Sequence, residues 1–212
     1  MSRAIRVSTK AVRRVWNRAR WHALSPSLPR RPDGAMMAHI GCGDIDAPGF
    51  INIDARRANH VHFVVHDLHE IRFLPAGSMA LVYMSHVLEH VGLMSIRSVL
   101  REMARVLRPT GILRLSVPDF DLVLAAYEQT HRNIDGVASV LMGGQDYPEN
   151  YHFAVFNRES LTAHLRETGF TDVKHWDPDD CDYHAFADWA NTPISIGGQG
   201  FPISLNLEAR RP

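Results

Sequence analysis

The sequence predicts one α/β domain built on a largely parallel sheet, and three observations lead there. The chain is 212 residues long, 45% hydrophobic and 22% charged, enough for a single domain with a sizeable core. Three short apolar runs follow one another: Ala38-His39-Ile40, Phe50-Ile51-Asn52-Ile53 and Val61-His62-Phe63-Val64-Val65. Each run stops at a glycine or an aspartate, namely Gly41, Asp54 and, one residue past His66, Asp67. Parallel strands buried on both faces have this near-continuous apolar character, with polar residues left to their carboxyl ends.

Composition narrows the setting. No apolar run approaches the 18 or more residues of a membrane span, and no apolar signal-peptide core is present, so secretion is not expected. Two cysteines, Cys42 and Cys181, do not make a disulfide framework. A cytoplasmic setting is the default. The net charge of zero hides an asymmetry: nine basic residues and no acid precede Asp33, which leaves 14 basic against 23 acidic residues in the remainder. The domain organisation that follows is a basic N-terminal helix and linker over 1–34, then the main domain over 35–212.

Residues 3–22 read as a helix with Ile5, Val12, Trp16 and Ala19 on one face and arginines around the rest. Docking on the acidic body, contact with an anionic membrane surface and nucleic-acid binding compete for its role, docking first and the membrane next. An organelle-targeting peptide has the same composition. Ser25–Gly34, with three prolines and a glycine, is a linker. The first strand, about Met36–Ile40, and the second, about Phe50–Asp54, are separated by roughly ten residues, close to the minimum for a parallel crossover. Pro48 further disfavours a helix between them, and the N-terminal helix could fill the vacant face. The third strand covers Val61–Asp67, a loop Leu68–Pro75, and the fourth strand Ala80–Ser85. A helix from about Leu93 to Leu107 carries Ile96, Val99, Leu100 and Met103 on its apolar face, with Pro109 and Gly111 ending it. The fifth strand is Gly111–Asp119, Asp121–Thr130 is helical, and Gly136–Phe156 is hard to assign. A helix over Arg158–Glu167 stops at Gly169. Strands six (about Thr171–Trp176) and seven (about Ile203–Ala209) complete the chain, joined through the Pro- and Gly-rich segment Pro178–Pro202.

Ligands of open α/β sheets bind outside the carboxyl ends of the strands. Here three successive ends offer a glycine turn, a carboxylate and a second carboxylate. Gly41 and Gly43 let the backbone turn and approach a ligand; Asp54 suits a ribose diol, and Asp67 an exocyclic amine. A nucleoside-type cofactor fits. NAD does not, because the dinucleotide fingerprint needs a third glycine opening a helix around a pyrophosphate, and here Asp44-Ile45-Asp46-Ala47-Pro48 follows.

The run from Ile40-Gly41-Cys42-Gly43 through Asn52-Ile53-Asp54, His66-Asp67-Leu68, His86-Val87-Leu88-Glu89-His90 and Leu107-Arg108-Pro109-Thr110-Gly111 resembles a class I S-adenosylmethionine-dependent methyltransferase, nearest to the type 11 small-molecule group. The resemblance covers Met36 to the C-terminus. It implies a Rossmann-like three-layer sandwich with a seven-stranded, mostly parallel sheet in the order 3-2-1-4-5-7-6, the last strand antiparallel. It also implies S-adenosylmethionine as cofactor, bound by Gly41, Cys42, Gly43, Asp54, Ala55, Asp67, Leu68, Ser85 and His86. The short first crossover departs from most of that class, which has a full helix there.

His86-x-x-Glu89-His90 also matches the H-x-x-E-H pattern of inverted zinc proteases. That chemistry needs both histidines on one helical face, whereas the helix here begins after the motif, so no metal site is expected. Methyl transfer asks chiefly for alignment of acceptor, carbon and sulfur, plus removal of a proton from an oxygen or nitrogen acceptor. Histidine suits that second task. His90, His152 and Asp119 are the candidate catalytic groups. Asp119–Tyr127 and Gly143–Phe156, with Tyr147, Tyr151, Phe153 and Phe156, form the expected acceptor surface, apt for sugar rings. The acidic body makes nucleic acid an unsuitable partner. The expected activity is methylation of an oxygen or nitrogen on a small molecule such as a sugar or surface-glycan precursor, with peripheral membrane contact through the basic helix. A module that binds S-adenosylmethionine without turnover is the alternative.

Overall fold

The structure is a computed structural model in which residues 9–212 are described; Arg3, Ile5 and Arg6 of the expected helix lie outside them. The three apolar runs become β1 (Met36–Ile40), β2 (Ile51–Asp54) and β3 (Phe63–Val64). After these come β4 (Met79–Ser85), α2 (Ile96–Val106, after α1 described below), β5 (Leu107–Pro118), α3 (Phe120–Gln129) and α4 (Ile134–Met142). The chain closes with α5 (Arg158–Glu167), β6 (Thr171–His175), β7 (Ile194–Ile196), β8 (Gln199–Phe201) and β9 (Ser204–Arg210). Seven strands form one sheet in the order β3-β2-β1-β4-β5-β9-β6. All neighbours are parallel up to β5, and β9 runs antiparallel between β5 and β6. This is the order and the antiparallel last strand that the sequence predicts.

The differences have physical reasons. The third strand pairs over Phe63–Val64 only, not Val61–Asp67, because its ladder partner β2 spans only Ile51–Asp54. Val65 N donates to Asp54 O at 2.8 Å, and the Val64 carbonyl accepts from Asn17 Nδ2 at 3.0 Å. The fifth strand starts four residues early, with the irregularity around Pro109–Gly111 absorbed as a register shift against β4. Gly111 is needed in that bulge, since a Cβ there would stand 2.8 Å from Arg108 O. The unassigned stretch Gly136–Phe156 holds most of α4. The connection Pro178–Pro202 carries the hairpin β7–β8 rather than being a plain link.

The N-terminal helix α1 (Thr9–Leu24) docks on its own body through a face other than the expected one. Val12, Trp16 and Ala19 point outward. Asn17 and Trp21 point inward, with Arg13 and Arg20 partly buried beside them. Trp21 packs on Phe63 and Phe73, with ring centroids at 6.0 and 6.3 Å. Arg20 Nε donates to His62 O at 2.7 Å and Arg13 pairs with buried Glu70 at 3.5 Å. Polar groups, not a stripe of apolar ones, supply most of the helix's contacts to the edge strand.

Helices α1, α2 and α5 cover one face of the sheet over the main core. On the other face Met37, Phe50, Leu81, Tyr83 and Trp176 are covered by loop segments around Ala47 and Phe186–Ala190. Within that loop layer Tyr83 Oη donates to buried Asp188 at 2.5 Å. A third, smaller core joins α3, α4 and the hairpin, through Val123, Val137, Val140, Ile196, Phe201 and Ile203.

Candidate active site

The turn after β1 is tied to β2 by Gly41 N, which donates to Ile53 O at 2.7 Å. Gly41 sits at φ +70, and a Cβ on it would come within 2.2 Å of Val87 Cγ2. No other residue type fits between the turn and the segment after β4. Gly43 N donates to Asp54 Oδ2 and Arg56 N to Asp54 Oδ1, both at 2.7 Å, with Arg56 Nε 3.6 Å away. Asp54 is thus fixed in place by backbone, while each carboxylate oxygen keeps a second acceptor position. Cys42 is buried beside it, and burial together with the Asp54 charge pushes its thiol up to about 12, so it is not a nucleophile.

Asp67 caps the 3-10 turn Leu68–Phe73, accepting from His69 N at 2.9 Å. At the end of β4, His86 adopts φ +51, a region in which histidine is enriched over bulkier residues. Its backbone N donates to Ser116 O at 2.8 Å. Its Nε2 meets Ser204 Oγ at 2.8 Å, and Ser204 donates its own proton to Trp189 O at 2.6 Å.

Behind His86 the turn Leu88–His90 places Glu89 fully inside the protein. His86 Nδ1 lies 3.4 Å and His152 Nε2 3.9 Å from it, and neither carboxylate oxygen has a hydrogen-bond partner among the described residues. Burial pushes the Glu89 carboxyl up to about 8. Burial also holds His86 down to about 3 and His152 down to about 4, and lowers His90. The imidazoles are therefore neutral at pH 7. His90 Nδ1 lies 3.1 Å from Tyr151 O and His152 Nδ1 2.9 Å from Val140 O. A carbonyl only accepts, so both Nδ1 atoms carry the proton and both Nε2 atoms carry a lone pair.

One cavity of about 1160 Å³ runs along these groups. Gly41, Cys42, Gly43, Asp54, Ala55, Asp67, Leu68, Ser85 and His86 all line it, as do His90 and His152. Asp119 does not: its side chain caps α3, accepting from Asp121 N at 3.0 Å. The expected acceptor surface is likewise redrawn. Helix α3 turns Val123 and Ala126 into the small third core, Phe156 is buried in the main core, and Tyr151 lies outside the cavity lining. Tyr147 and Phe153 do line the cavity, joined by Trp189, Thr192, Ile194 and Ile203 from the connection before β9. Trp189 escapes sequence reasoning because the connection shows no period. The signal available was a lone tryptophan in an otherwise polar, Asp-rich loop.

A family model described as a methyltransferase domain matches residues 22–175. No curated protein matches the chain in sequence. Among solved structures, a SAM-dependent methyltransferase from Archaeoglobus fulgidus aligns with a TM-score of 0.53 at 16% identity, covering 93% of this chain and 94% of that one. A chain from the complex between the Haloferax volcanii Trm112 methyltransferase activator and the putative methyltransferase aligns at 0.52 and 14%, covering 96% and 94%. The 1,6-didemethyltoxoflavin-N1-methyltransferase of Burkholderia thailandensis, solved with 1,6-didemethyltoxoflavin and S-adenosylhomocysteine, aligns at 0.52 and 16%, covering 93% and 80%. At these identities the structures share a fold with this chain.

Proposed function

The chain belongs to the methyltransferase-domain family and uses S-adenosylmethionine, and from that premise we propose that it methylates an oxygen or nitrogen of a small, hydroxylated, sugar-like acceptor. The observation that carries the proposal is the lining of the cavity: the strand-end residues share it with the imidazoles of His90 and His152 and with the rings of Tyr147, Phe153 and Trp189, Tyr147 lying beside Arg56 next to Asp54 and Trp189 beside His86. Aromatic faces over a compact polar floor suit ring-shaped, partly apolar molecules, and the volume admits a cofactor and a small acceptor but not a folded polymer.

The cradle fits the cofactor on its own terms. Gly41 leaves room that any Cβ would fill, Asp54 retains acceptor positions for a ribose diol, and Asp44 and Asp46 follow where a diphosphate would be repelled. The residues that would hold the cofactor are Gly41–Gly43, Asp54, Ala55, Asp67, Leu68, Ser85 and His86. When bound, S-adenosylmethionine supplies a methyl already activated on a sulfonium. The protein's own task is to hold the acceptor in line and exclude water. At the acceptor end, His90 and His152 offer unprotonated Nε2 atoms to the hydroxyl or amine that takes the methyl.

Release of S-adenosylhomocysteine, measured across nucleotide sugars, glycans and small hydroxylated metabolites, tests the proposal. Turnover with such an acceptor is expected, falling about two- to tenfold in Phe153→Ala, as expected for loss of an aromatic contact of about 0.5–1.5 kcal/mol. Methylation of RNA or protein with no small-molecule turnover would overturn it. The exposed Val12, Val15 and Trp16 on α1, flanked by Arg14 and Arg18, favour a peripheral contact with anionic membrane, as a lipid-borne glycan acceptor would require. Trp16→Ala should then weaken cosedimentation with anionic vesicles; equal sedimentation of both proteins would exclude that contact.

A further inference from the structure

Four electron-pair donors converge beside the cavity with no donor proton assigned among them. Ser204 gives its single proton to Trp189 O, so its oxygen accepts from His86 Nε2–H, and His86 Nδ1 is left as a lone pair 3.4 Å from Glu89 Oε1. His90 and His152 donate through Nδ1 to backbone carbonyls and present Nε2 lone pairs. The Glu89 carboxylate lies at the centre, 0% exposed and, among the described residues, without a hydrogen-bond partner on either oxygen. Ligand atoms of Glu89, His90 and His152 all lie within 4.8 Å of one another. A buried carboxylate ringed by lone pairs is unfavourable unless a proton or a cation sits among them, and a cation meets the carboxylate and the imidazole lone pairs at once.

We propose that Glu89, His90 and His152 form a binding site for one divalent first-row transition-metal ion. Two imidazoles and one carboxylate on one side of an ion leave the other positions open, here toward the cavity that His90 and His152 line. Each ligating histidine donates its other ring N–H to a backbone carbonyl, the outer-shell arrangement that fixes tautomer and ring orientation at metal sites. Imidazole nitrogens suit zinc, iron, cobalt or nickel, whereas magnesium and calcium take oxygen ligands. The spacing argument that speaks against a metal on His86-x-x-Glu89-His90 assumes a helical H-x-x-E-H pair. The structure instead uses the last two residues of that motif on a 3-10 turn and takes its third ligand from the loop after α4, 62 residues further along.

What the ion does there rests on the proposed acceptor reading of the cavity. The acceptor heteroatom takes an open position, its proton goes to solvent, and the oxygen or nitrogen is held facing the cofactor side. With the ion bound, the Nε2 lone pairs of the two histidines are its ligands and no longer take the acceptor's proton, so the histidines position the acceptor through the ion.

The test uses the full chain after treatment with a chelator and exchange into metal-free buffer, titrated with Zn²⁺ or Co²⁺ alone. Calorimetry should give one ion per chain, and Co²⁺ should develop visible d–d absorption. His152→Ala and Glu89→Gln should each weaken binding at least tenfold and bleach the cobalt band, and Mg²⁺ at equal concentration should not compete. Glu89 is a core position, so His152→Ala, checked for native circular dichroism, keeps the test valid if Glu89→Gln fails to fold. Absence of binding in the wild-type protein, or binding unchanged in His152→Ala, would overturn the site. Metal binding with no small-molecule turnover would instead overturn the acceptor reading and leave the site standing.

Discussion

At the scale of single residues, Asp54 and Glu89 are two acids with opposite surroundings. Asp54 accepts two backbone N–H groups and lies beside Arg56, so its charge is supported before any ligand arrives. Glu89 has no such support. The first was readable in the sequence, because an aspartate closing an apolar strand has few other reasons to be there. The second was not: its isolation is created by His152 and His86 folding around it. For Asp54 the expectation is direct. Asp54→Ala removes the acceptor proposed for a ribose diol, and a lost hydrogen bond to a charged group costs roughly 1.5–3 kcal/mol. Calorimetric affinity for S-adenosylhomocysteine should fall at least about tenfold, with Asp54→Asn, which keeps one acceptor oxygen, falling less. Unchanged affinity in a folded Asp54→Ala protein would remove Asp54 from the cofactor site.

Elements differ in how much of themselves they write into the sequence. Strands β1, β2, β4 and β5 are apolar because both faces are covered, so their runs announce them. Helix α2 buries Ile96, Val99, Leu100, Met103 and Val106 on one stripe and is equally plain. Helix α1 misleads because its inward side is made of Asn17 and Arg20, which meet the carbonyls of Val64 and His62, and of Trp21, which meets the rings of Phe63 and Phe73. The hairpin β7–β8 is three residues a side and packs on α3 and α4; its one local signal is the Gly197-Gly198 turn between Ile194-Ser195-Ile196 and Gln199-Gly200-Phe201, which a Pro- and Gly-rich link obscures. The two tryptophans of α1 separate the sequence's version of the helix from the folded one. Trp21→Ala deletes a ring packed against Phe63 and Phe73 and should cost about 3–5 kcal/mol. Trp16→Ala, at a site 48% exposed, should stay within about 0.5 kcal/mol of wild type. Urea unfolding of the two variants decides it: a larger loss at Trp16 than at Trp21 would mean that the helix docks by its other face.

For the molecule as a whole, the cavity lies between two cores that share few side chains. The strand ends belong to the main core, whereas Val140, Ile194 and Ile203 belong to the small core of α3, α4 and the hairpin, and all of them line the same space. A ligand filling that space touches both, so binding should stiffen the smaller unit as well as stabilise the larger. S-adenosylhomocysteine at about 100 times its dissociation constant adds roughly 2.7 kcal/mol to the folded state. For a chain of this size each kcal/mol moves the thermal midpoint by about 2–4 °C, so the shift should be on the order of 5–11 °C. Amide hydrogen exchange should slow in α4 and in β7–β8 on binding, because local opening of these elements separates them from the ligand. Helix α5, which contributes no residue to the cavity lining, should change less. A full thermal shift with no added protection in α4 or the hairpin would confine the cofactor to the strand ends and detach the smaller core from the site.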